Sequence, residues 1–129
     1  MRIALTVTAV ALAAAAAAAA SSLPTGTYST TIRGAKNTQL DGRWTVTFSP
    51  GHYVVSAAGR QLVTGTDSAS DGVLTLHDTG GPAPPRCTPP NQIGTYTYRS
   101  SGSTLTLEVK HDGCSFRATI LASHPLERA

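Results

Sequence analysis

From Gly26 onward, about eight short stretches rich in Thr, Val, Tyr and Leu follow one another, parted by Gly, Pro, Ser and Asp, with no apolar pattern of helical length between them. Strands at this density, joined by tight turns, must be neighbours in space as well as in sequence. The economical solution is an all-β antiparallel meander, closed into a barrel or folded as a two-sheet sandwich. Both bury alternate residues, so periodicity alone does not choose between them.

The start of the chain has a different character. Arg2, an apolar stretch over residues 3–12 and an alanine run ending at Ala20 precede Ser21 and Ser22, which predicts a secretory signal peptide over residues 1–20 and a mature domain over 21–129. The apolar core is short for a bilayer of roughly 30 Å and no basic stop-transfer cluster follows, so no membrane span is expected once the leader is removed. The remaining chain, about 109 residues, has the length of one domain and is small enough to benefit from a covalent staple. Cys87 and Cys114 are the only cysteines and fall in loop-like segments, residues 84–90 and 111–115. In an oxidising compartment they are expected to pair. A bridge closing about 27 residues is worth roughly 3.5 kcal/mol on the loop-entropy relation. The alternative is two free thiols, or half a metal site with His111, but the spacing matches no recognised metal motif and no metal is expected.

Charge excludes one class of partner. The formal net charge is +3, and the basic residues are scattered singly among acids, which makes a solvated surface rather than a phosphate-tracking stripe. Nucleic acid is not an expected partner.

Two-residue alternation places strands at residues 27–32, 43–48, 52–57, 61–67, 73–78, 94–99, 104–110 and 115–122. Residues 35–40 hold at most one helical turn. Gly65 marks a bulge or bend within the fourth strand. Residues 79–93, rich in proline and glycine, are too long for a usual hairpin connection and form a loop that Cys87 would pin.

No residue is nominated as catalytic, and no cofactor is implied. His77-Asp78 and His111-Asp112 are adjacent in sequence, which puts them on opposite strand faces or in a turn rather than in a dyad. No nucleophile elbow, phosphate loop, paired carboxylates or metal cluster appears. The protein is therefore read as non-enzymatic. The aromatic residues are few: Trp44, Tyr28, Tyr53, Tyr96, Tyr98, Phe48 and Phe116. The plain reading is that Trp44, Val46, Phe48, Leu74, Leu76, Leu105, Leu107 and Val109 fill the core. The functional one is that some aromatic residues line a cavity, with Tyr96 and Tyr98 on one face and their hydroxyls needing partners wherever they are buried.

Gly26-Thr27-Tyr28, Gly42-Arg43-Trp44, the meander and Arg117 in the expected last strand together resemble the calycins, the superfamily of lipocalin-like β-barrels. Residues 94–98, 105–107 and 112–117 are similar to the Gly-x-Tyr-x-Tyr/Trp strand, Leu-x-Leu strand and Asp-x-Cys-x-x-Arg turn of small secreted lipocalin-like domains of high-GC Gram-positive bacteria. The resemblance implies a small closed eight-stranded barrel in which Trp44 or Tyr28 stacks with Arg117 as an architectural contact. It also implies a small hydrophobic or amphipathic ligand held in the barrel mouth by Tyr28, Tyr53, Tyr96 and Tyr98. The discriminating feature is a real cavity: a barrel packed solid by Trp44, Phe48, Leu74, Leu76 and Leu105 would reject the ligand-binding reading outright. The alternative is a protein-interaction module, an inhibitor or envelope accessory domain, acting on a protein partner through the 79–93 loop.

Overall fold

The computed structural model describes residues 23–129; the expected leader lies outside the described residues. The eight strands, β1 (Gly26–Ile32), β2 (Gly42–Ser49), β3 (His52–Ala57), β4 (Arg60–Ser70), β5 (Val73–Gly80), β6 (Ile93–Ser101), β7 (Thr104–His111) and β8 (Leu126–Arg128), form a closed antiparallel barrel in chain order. Among the described residues, one α-helix, α1 (Ser115–Ala122), and one 3-10 turn, Thr38–Leu40, complete it.

The strands follow from alternation. In β2, Trp44, Val46 and Phe48 are buried while their neighbours are half-buried or exposed. Trp44 stands opposite Thr30 on one side and Ala57 on the other, so its large ring is set between small partners. At the β4–β5 turn, Asp71 and Gly72 both have positive φ, 53° and 76°, the geometry that matches the right-handed strand twist and that a central Asp-Gly pair favours. Gly65 sits at a slip in the β4–β5 register, as its lack of a side chain suggested. A Cβ there would fall 2.6 Å from the Tyr53 ring, so the glycine makes room for the tyrosine to cross the barrel interior.

One element departs from the sequence reading. Residues 115–122, read as the last strand, are α1, and the true last strand is the three-residue β8. The buried residues of α1 are Arg117, Ile120 and Leu121, an i, i+3, i+4 set that a helix places on one face and a strand would split. β8 pairs with only Thr104 and Leu105 of β7, and α1 packs against β7, doing the covering work that a longer eighth strand would have done.

The meander gives the barrel two unlike ends. The β2–β3, β4–β5 and β6–β7 turns gather at one end with residues 23–25; this is the mouth. The other end receives the 3-10 turn, the 81–92 loop and the start of α1, and the disulfide between Cys87 and Cys114 joins the last two. Between the ends, Val46, Leu74, Leu76, Tyr96, Leu105 and Leu126 are wholly buried.

Candidate functional site

The end closed by the disulfide is organised by Arg117. Its side chain is 4% exposed, and those of Asp78 and Asp112 are 2% and 0% exposed. All five guanidinium N–H groups are used. Nε donates to Asp112 Oδ2 (2.8 Å), Nη1 to Asp78 Oδ1 (3.2 Å) and the Gln92 carbonyl (2.8 Å), and Nη2 to Asp112 Oδ1 (2.8 Å) and the Asn91 carbonyl (3.1 Å). The Tyr53 hydroxyl donates to Asp78 and that of Tyr96 to Asp112. The amides of the two bridged cysteines complete the set, Cys87 N to Asp78 Oδ2 (2.8 Å) and Cys114 N to Asp112 Oδ1 (2.9 Å). Gly94 allows this crowding, since a Cβ there would lie 2.6 Å from the Asp112 carboxyl carbon and 2.7 Å from Arg117 Nη2.

Burial and the aspartates shift these groups together. Burial, then the bond to Asp78, pushes the Tyr53 phenol far above its ordinary range, and burial with Asp112 does the same to Tyr96. Burial alone would raise Asp112, but the bonds from Arg117, Tyr96 and the Cys114 amide outweigh it and hold the carboxyl below the usual carboxylate range. Burial works to lower Arg117, and the bond and charge of Asp112, with the charge of Asp78, more than reverse it. The network holds neutral phenols and a fixed cation with its counter-charges. It is a bolt across the barrel, and it leaves no donor on Arg117 for a ligand.

Arg117 therefore does not take the place that the resemblance gave it. It lies on α1, not on the last strand, and its donors go to carboxylates and carbonyls rather than to a ring. Trp44 instead donates its Nε1 to the Leu40 carbonyl (2.7 Å), fastening the 3-10 turn. The cation over Tyr28 is Arg128 of β8, 5.0 Å from the ring centroid and 3.0 Å from its hydroxyl.

The four tyrosines do not meet at one surface. Tyr28, Tyr53 and Tyr96 are each at most 1% exposed. Tyr28 packs edge-on against Phe48, and Tyr53 and Tyr96 belong to the bolt. Tyr98 is half-buried and lines a shallow groove of about 160 Å³ with Thr97, Arg99, Thr106 and Glu108. Burial and the charge of Asp71 raise its phenol above the ordinary range. At the bolted end, the hollow bounded by Tyr53, Val55, Val63, Pro85, Ile120 and Leu121 holds only about 10 Å³, room for at most one water. His77 and Asp78 point to opposite sides, Asp78 inward, as strand alternation requires.

The mouth is where space exists. A hollow of about 670 Å³ opens there, walled by residues 23–25, the turn at 49–51 and residues 67–69, with Phe48 among its lining residues. The size is that of a small-molecule site. Asp67 lies on the inward face of β4, in phase with Val63, Gly65 and Ala69. Its Oδ2 is enclosed and has no hydrogen-bond partner. Burial raises its carboxyl above the usual range, against the weaker pull of the Gly51 amide and the His52 imidazole. Sequence reasoning missed Asp67, which ended the predicted fourth strand; continuing the two-residue period to Ala69 would have put it inside.

The 81–92 loop is exposed along most of its length, with Cys87 buried beneath it. Arg86 braces it through Nε to the Gly81 carbonyl (2.7 Å), and Pro84 and Pro85 border a groove of about 150 Å³ with Leu40, Trp44, Leu62 and Phe116. Compared with known proteins, the chain matches no family model, no curated protein and no solved structure.

Proposed function

We propose that this is a secreted, non-enzymatic, lipocalin-like binding protein that holds a small amphipathic molecule in the barrel mouth. The observation that carries this reading is the contrast between the ends: one is bolted shut by Arg117 and the disulfide, while the other carries a hollow of ligand size beside apolar side chains. The resemblance of the sequence to calycins supports the same reading. The ligand's contacts would be Pro24, Pro50 and Ala69 rather than the buried tyrosines. Native mass spectrometry of the protein purified from its secreting host tests this. A retained small molecule is expected, and Ala69→Phe, which fills the hollow, should abolish retention without unfolding the barrel. Retention undiminished in Ala69→Phe would overturn the mouth as the site. A retained protein instead of a small molecule would favour the second reading, an interaction module built on the braced 81–92 loop and its proline-bordered groove.

A further inference from the structure

Asp67 stands apart from the other carboxylates that face into this barrel. Asp78 accepts from Tyr53, Arg117 and the Cys87 amide, and Asp112 from Tyr96, Arg117 and the Cys114 amide. Asp67 Oδ2 is enclosed with nothing to accept from. Among the described residues the other enclosed side-chain atom without a partner is Gln92 Oε1, which is neutral. A lone carboxylate oxygen withdrawn from water is a poor arrangement unless something brings it a donor, and a cationic donor compensates it best. The protein supplies none at that point. Arg128 is committed to the Thr25 carbonyl (3.1 Å) and Tyr28, and the influence of His52 on Asp67 is weaker than that of burial.

The surroundings narrow the cation. No group of three or more His, Cys, Asp or Glu suited to a metal ion exists among the described residues, and one carboxylate is a poor substitute for the many oxygens that a hard metal ion demands. An ammonium seeks an anionic acceptor, and among the residues lining the hollow it is Asp67 that carries a charge. Pro24, Pro50 and Ala69 offer apolar contact for a short tail.

We infer that the mouth takes a small amphipathic primary amine, its ammonium on Asp67 and its apolar tail against Pro24, Pro50 and Ala69. This rests on the mouth being the binding site and adds the charge of the ligand. The test is calorimetric titration of the purified protein with octylammonium, 1-octanol and octanoate, with amide shifts followed by NMR. Octylammonium should bind at least about tenfold more tightly than octanol, as a charge-assisted bond in a sheltered site allows. The shifts should centre on Gly51, Asp67 and Ala69. Asp67→Asn, and independently Asp67→Ser, should erase that advantage while octanol binding stays as it was, which also shows that the variants are folded. If octanol or octanoate binds wild type as tightly as octylammonium, the ammonium assignment falls and the mouth survives as a site. If none of the three shifts the mouth amides, both fall. Sedimentation of the protein with phosphatidylethanolamine vesicles, lost in Asp67→Asn, would move the ammonium to a lipid surface and overturn the free-amine form; no sedimentation is expected.

Discussion

A guanidinium buried as deeply as that of Arg117 is tolerable only because every donor is met and two carboxylates flank it. Arg117→Gln should therefore destabilise the protein at neutral pH by about 3–5 kcal/mol in urea unfolding, mainly through the two carboxylates left without their cation. The loss should depend on pH in a definite direction. Asp112 has a folded-state pKa below its unfolded one, so its contribution is full above the unfolded value and disappears as pH falls through the folded value. The gap between wild type and Arg117→Gln should accordingly narrow in acid; a gap that widens there would contradict the assignment. The resemblance marked Arg117 as architectural, but as a last-strand arginine under a ring rather than a helical one between two carboxylates. Its partners were not legible, since Asp78, Asp112, Tyr53 and Tyr96 come together only through register. Asp67 was hidden for another reason: it closed the predicted fourth strand, and a charged last residue gives no sign that its face is the inward one until the strand is known to continue.

Among the elements, α1 shows where alternation stops being informative. Ser-Phe-Arg-Ala-Thr-Ile-Leu-Ala is short enough to satisfy either period, and its neighbours were all strands. What decides is that Arg117, Ile120 and Leu121 all have somewhere to go only from one helical face, with Arg117 in the bolt and Ile120 and Leu121 against the hollow at the bolted end. Ile120→Ala should cost about 2–5 kcal/mol by denaturant unfolding, as expected for a side chain 3% exposed in a packed interior. A loss below about 0.5 kcal/mol, the scale of a surface change, would place the residue outside the core. The long, clean strands were readable because each buries one face and solvates the other, as β2 and β5 do. The three residues of β8 were not, because a run that short carries no period.

At the scale of the molecule, the two ends have divided rigidity and space between them. The bridge from Cys87 to Cys114 spans 27 residues and ties the 81–92 loop to the start of α1, with both cysteine amides holding the aspartates of the bolt. Replacing both cysteines by serine should lower stability by roughly 3.5 kcal/mol, seen as a lower urea midpoint, while the mouth keeps its ligand. Loss of mouth binding together with the bridge would show that the ends are not independent. The ring itself is joined by β8, where Arg128 stands opposite Tyr28 and the Ala129 amide reaches the Thr27 carbonyl. Those contacts link residues a hundred positions apart in the chain. No local hairpin can make that seam, so during synthesis the first strand keeps one flank unpaired until the final turn of the meander arrives beside it.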